Sequence, residues 1–205
     1  MKRIKLTKLD LMTALLTLCS MIPGIVVYNR LPERIATHFD INNQPDGWSG
    51  RAFAVFGIPL IMTALHLLAC LFTNSDERVK NSPQMSRVVR FLIPIITFVV
   101  ETAMVLFALD KITDIGMIAL CVSGILMIII GNYLPKTRQN SFVGIRTKKT
   151  LENEEIWNKT HRLAGFVETA AGVVMIPLAV LSLYIPAVIV LFVAILIPLF
   201  YLLTQ

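Results

Sequence analysis

Six apolar runs, each about as long as a membrane is thick, organise this chain. They are Leu11–Tyr28, Ala52–Phe72, Phe91–Leu109, Ile115–Leu134, Leu163–Leu183 and Pro186–Leu203. About 20 predominantly apolar residues in a helix cross a hydrocarbon core. Thr169 to Gln205 is 37 residues without a single Asp, Glu, Lys or Arg. As one helix that stretch would be about 55 Å long, so it is divided into two spans near Pro186. The pattern predicts an all-α fold, a polytopic membrane helical bundle of six transmembrane helices.

Composition agrees with the pattern. Hydrophobic residues make up 56%, charged residues 16%, and the mean hydropathy is +0.72. Soluble domains average about 45–50% apolar and about 25% charged, so an ordinary cytosolic enzyme is excluded. Cys19, Cys70 and Cys121 all lie in apolar stretches, where cysteine acts as a small packing residue. The first span follows Lys2, Arg3, Lys5 and Lys8 and lacks an A-x-A-like cleavage site, which fits an uncleaved anchor.

The sequence pI near 9.4 then reports topology and not direct nucleic-acid binding. Lys and Arg counted in alternate connecting segments fall fifteen to four. The positive-inside rule assigns the fifteen to the cytoplasm, with both termini and the loop 135–162. The loop 29–51 is then extracellular. Two three-span halves are expected, 1–110 and 111–205.

Both loops exceed what a turn requires. In the outer one, Pro32, His38, Phe39, Asp46 and Trp48 are candidate ligand-contacting residues. His38, Asp40 and Asp46 lack the paired spacing of a metal motif, so no metal or cofactor is expected. Pro45-Asp46-Gly47 is a turn signal, and Trp48 suits an interfacial position. In the inner loop, Thr150, Asn153 and the following Glu154-Glu155 predict a helix start. From there Leu151, Ile156, Trp157 and Thr160 fall near helical spacing and lead into the fifth span.

At this loop a family resemblance emerges. Asn140-Ser141-Phe142-Val143-Gly144-Ile145-Arg146-Thr147 and Glu155-Ile156-Trp157-Asn158-Lys159-Thr160-His161-Arg162-Leu163-Ala164-Gly165 closely resemble the signature of the bacterial SdpI family. Leu31–Trp48 resembles the uncharacterised domain that commonly precedes it. The resemblance implies a polytopic membrane protein that gives immunity to a secreted killing peptide and holds a cytoplasmic repressor at the membrane. It marks Asn132, Pro135, Arg138, Asn140, Phe142, Gly144, Arg146, Thr147, Glu155, Trp157, His161 and Arg162 as partner-binding candidates. The family usually carries Pro-Trp where this chain has Lys148-Lys149.

Three ionisable residues fall inside the spans: His66, Glu101 and Glu168. Intramembrane charges are functional candidates by default. The His66 and Glu168 positions place both in reach of one polar site near the cytoplasmic side. With Pro59, Pro94, Pro177 and Pro198 as kink positions, the glutamates support a competing reading as a small secondary transporter. Tyr28–Arg34 can also be set beside Asn132–Arg138, which suggests a 3+3 inverted repeat. An enzyme using His161, Glu155 and Glu168 as acid and base lacks a nucleophile motif, a phosphate loop and a metal spacing. Membrane lipids are expected partners on either reading, and the basic loop suits anionic headgroups.

Overall fold

A computed structural model describes residues 5–76, 79 and 83–205. Lys2, Arg3, Arg78 and Lys80, which entered the topology count, lie outside the described residues. Among the described residues, six helices are long and apolar enough to cross a membrane: Lys8–Val26, Phe53–Ser75, Ser86–Ala108, Ile115–Lys136, Glu154–Val180 and Tyr184–Leu203. The chain folds as a helical membrane protein, in two compact units.

The first unit comprises 1–74 and 87–118. Its first span starts with helix α1 (Lys8–Leu18), where Thr7 and Asp10 form a capping box. A 3-10 turn leads into α2 (Ile22–Val26). Gly24 there meets Val55, and a Cβ at Gly24 would come within 2.8 Å of that side chain. A π-helical turn at Phe53–Gly57 precedes α3 (Ile58–Ser75), and α4 runs Pro83–Ala108. Leu31, Ile35, Ala54, Val55, Met104 and Val105 form the core of this unit.

Between the first two spans lies a two-stranded antiparallel hairpin, β1 (Arg34–Phe39) and β2 (Pro45–Gly50). This adds strand to a fold expected to be helical throughout. It also corrects the turn assignment, because Pro45-Asp46-Gly47 is strand and the chain reverses at Asp40–Gln44. Asp40 Oδ1 accepts the Asn42 and Gln44 N–H groups, and Asn43 adopts a left-handed φ of 63°. Asn43 is held there from a distance. Its Nδ2 donates to the Thr113 carbonyl at 3.1 Å, and its Oδ1 accepts the Gly116 N–H at 2.7 Å.

The second unit comprises 75–86 and 119–205. It holds most of α5 (Ile115–Tyr133), the short α6 (Lys148–Glu152), α7 (Glu154–Val180) and α8 (Tyr184–Leu203). Two glycine pairs set the packing of α5 on α7. A Cβ at Gly172 would lie 2.4 Å from the Gly124 carbonyl, and one at Gly165 would lie 2.6 Å from the Gly131 carbonyl. Each pair is spaced by seven residues, two helical turns, so two antiparallel backbones meet along one face. Lipid gives helices little hydrophobic reason to associate, so such close small-residue contact is what holds them together. The break predicted near Pro186 falls at Leu181–Leu183, where Ser182 takes φ 58°, and Pro186 sits in the first turn of α8.

Candidate functional site

The inner loop is built by local capping. Thr147 caps α6 through a box with Thr150, whose hydroxyl also donates to the Ile145 carbonyl at 2.9 Å. Asn153, not Thr150, caps α7, accepting the Glu155 and Ile156 N–H groups. The expected helix start is therefore divided between two helices. Asn140 organises the stretch before them. Its Oδ1 accepts from the Phe142 and Val143 N–H groups, and its Nδ2 donates to the Arg138 and Val143 carbonyls.

Trp157 and His161, one helical turn apart on α7, close this loop from inside. The Trp157 ring is fully buried, donates Nε1–H to the Thr137 carbonyl at 2.7 Å, and stacks on His161 with centroids 4.0 Å apart. His161 Nδ1 donates to the Trp157 carbonyl, and Nε2 accepts the Ile145 N–H at 3.0 Å. Both ring nitrogens are thereby occupied in the neutral form, leaving none for acid–base work. Gly144 passes over that ring with φ 106°, and a Cβ there would overlap His161 Nε2.

The twelve inner candidates thus divide in two. Asn140, Gly144, Thr147, Trp157 and His161 are spent inside the loop, and Pro135 packs against Gly165. Asn132, Arg138, Phe142, Arg146, Glu155 and Arg162 remain exposed, with Arg146 donating to the Ser141 carbonyl. Glu155 pairs with Lys159 at 2.6 Å on the rim of a groove of about 990 Å³ that reaches Arg162, Phe166 and Tyr201.

The hairpin keeps most of its candidates on its surface. His38 Nδ1 bonds Asp46 Oδ1 across the strands, both largely exposed, and Trp48 is half-exposed. Pro32 is exposed beside the buried Leu31. Phe39 instead anchors the hairpin, meeting Phe107 edge to face at 4.9 Å. Arg51, counted above as a topological charge, donates to the Tyr28 and Leu31 carbonyls and covers the Tyr28 ring at 4.6 Å. The Asp40 carboxyl lies below the usual range, chiefly because it accepts the Gln44 N–H.

Both loops have counterparts in known proteins. Residues 136–203 match the SdpI/YfhL protein family, and residues 15–63 match a domain of unknown function, DUF1648. Immunity protein SdpI of Bacillus subtilis (strain 168) is 27% identical over 181 residues, covering 86% of this chain and 83% of that protein. The chain is thus similar to that immunity protein over most of its length. No solved structure matches it.

Within the spans, the chain holds a polar network that sequence reasoning missed. Asp10 is fully buried and accepts Arg90 Nε–H, while Asn74 donates to Asp10 at 2.8 Å and accepts Arg90 Nη2–H at 2.8 Å. In the sequence, Asp10 and Arg90 each stand one residue before an apolar run, Leu11–Tyr28 and Phe91–Leu109. The Thr7-x-x-Asp10 capping box was the available signal. One turn below, His66 Nε2 lies 2.8 Å from Thr13 Oγ1, and His66 Nδ1 is buried with no partner among the described residues. His66 thus finds its partner in the first unit, while Glu168 is half-buried in the second. Glu101 is 3% exposed, and no bond to either glutamate is found among the described residues.

Proposed function

We propose that this chain is a membrane immunity protein that protects the cell making it from a secreted killing peptide. The observation that carries this reading is the breadth of the relationship. The alignment to an immunity protein, at 27% identity, covers 86% of the chain and takes in both elaborated loops. The hairpin meets the peptide through Trp48, Asp46 and His38, on the outer face assigned by the positive-inside rule. Its exposed tryptophan is the residue type that anchors interfaces. The inner loop keeps a rigid scaffold of Trp157, His161 and Asn140. It presents Arg162 and the groove beside it to a cytoplasmic repressor, so that peptide arrival outside is reported inside. The halves 1–110 and 111–205 carry these two faces, with both termini in the cytoplasm.

The test is survival of a sensitive bacterial strain exposed to the family's killing peptide, with and without this chain in its membrane. Protection supports immunity. Full killing with verified membrane insertion rejects it.

Glu101 favours a second reading. A carboxyl buried in a span without a partner is costly, and such groups mark transport paths. Under that reading Glu101→Gln abolishes function while leaving the protein in the membrane. Under the immunity reading it leaves survival unchanged.

A further inference from the structure

The short helix α6 and the C-terminal end of α8 enclose a cleft of about 430 Å³ within the second unit. Leu196, Leu199, Phe200 and Leu203 wall it, and Lys148 and Lys149 edge it. Lys149 Nζ donates to the Leu202 carbonyl at 2.9 Å, satisfying one of the acceptors that a helix end leaves open. An ammonium has three donors, so two remain. Lys148 has no hydrogen-bond or ion-pair partner among the described residues.

Depth gives the cleft its chemistry. The 20 residues of α8 span about 30 Å, one hydrocarbon core. Its last turn therefore lies where lipid phosphates lie, beside the two amines. Leu196, seven residues before Leu203, is roughly 10 Å deeper, at the level of acyl chains. A free phosphate would leave the apolar wall uncovered. A peptide segment at that depth would need backbone partners that the leucines cannot supply. A neutral lipid would leave the lysines unmatched.

We propose that this cleft binds one anionic glycerophospholipid, its phosphate against Lys148 and Lys149 and one acyl chain along Leu196, Leu199 and Phe200. The site is independent of the immunity reading and uses none of its residues.

The test is native mass spectrometry of the full chain in detergent, titrated with phosphatidylglycerol and phosphatidylcholine of the same acyl composition. The wild type retains one phosphatidylglycerol in preference to phosphatidylcholine, by roughly five-fold for each lysine engaged. Lys148→Gln lowers that preference, and Lys148→Gln with Lys149→Gln removes it. Leu199→Trp, which fills the wall without touching charge, weakens retention. Lys136→Gln, an equal charge change outside the cleft, leaves it unchanged. Because Lys149 also braces α8, Lys148→Gln and Leu199→Trp carry the test if the double variant does not fold. Equal retention of the two lipids overturns the proposal. So does a preference that Lys148→Gln leaves at its wild-type size, a retention that Leu199→Trp leaves undiminished, or an adduct that inorganic phosphate alone reproduces.

Discussion

Trp48 of the hairpin and Trp157 of the loop 135–162 come from segments that look alike in sequence, each a polar stretch with one tryptophan, one histidine and three acidic residues. In the folded chain they do opposite work. Trp48 is 50% exposed, on a strand whose paired His38 and Asp46 also face water. Trp157 is 0% exposed, with its N–H, its ring face and its neighbour His161 all consumed by the loop itself. A dense polar motif is therefore no sign of a binding surface. In the inner loop the polar side chains replace the regular hydrogen bonds that an irregular segment lacks, since buried backbone groups must be paired. In the hairpin the strands pair with each other, and Trp48, His38 and Asp46 are left facing water.

This contrast is sharpest at Trp157. Trp157→Ala is expected to cost about 3–5 kcal/mol through the cavity and the orphaned Thr137 carbonyl. A lowered melting midpoint in detergent and reduced membrane abundance would record it. Unchanged stability would show that the loop is not the scaffold described. Arg90→Met should cost a similar 3–5 kcal/mol, because it strands the buried Asp10 carboxylate. The double change Asp10→Leu with Arg90→Met should recover part of that loss, and a loss that is simply additive would deny the pairing. Gly144→Ala comes next. Its left-handed backbone alone adds about 1–3 kcal/mol of strain, before the contact with His161 is relieved. On the outer side, Trp48→Ala should change stability by less than about 0.5 kcal/mol while protection falls. The smallest effect is at His38→Ala, which removes an exposed pair with Asp46 and should leave the same melting midpoint nearly unchanged.

Acid should separate the loops as well. The Asp40 carboxyl lies below its ordinary range, so its charged form steadies the hairpin turn above the ordinary aspartate range. That contribution is lost as the pH falls through the lowered value. Amide exchange at Asn42 and Gln44 should speed up there, whereas the Ile145 N–H, accepted by His161 Nε2, should be released in a separate step, when that imidazole takes a proton.

Much of this architecture was legible because the bilayer imposes a length. Runs of about 20 apolar residues located all six spans, with helix ends displaced outward where polar caps extend them. Glu154–Val180 begins nine residues before the apolar run does, because Asn153 and two glutamates supply a good start in water. The reversal in the hairpin was not legible. Asn43 is fixed by Thr113 and Gly116, some 70 residues away, while Pro45-Asp46-Gly47 offered a stronger local turn signal. Asp10 and Arg90 were missed for a related reason, since each sits at the edge of a span and resembles a solvated charge until its partner appears. The inner candidates were found by composition and resemblance. Which of them face outward depended on burial, which neither supplies.

The account stands most directly on the hairpin as the surface that meets the killing peptide. The decisive measurement is survival of a sensitive strain carrying Trp48→Ala, normalised to membrane abundance, beside the wild type and Arg162→Ala. Loss of protection with Trp48→Ala at wild-type abundance, with protection retained by Arg162→Ala, is the predicted result. Full protection by Trp48→Ala would contradict it.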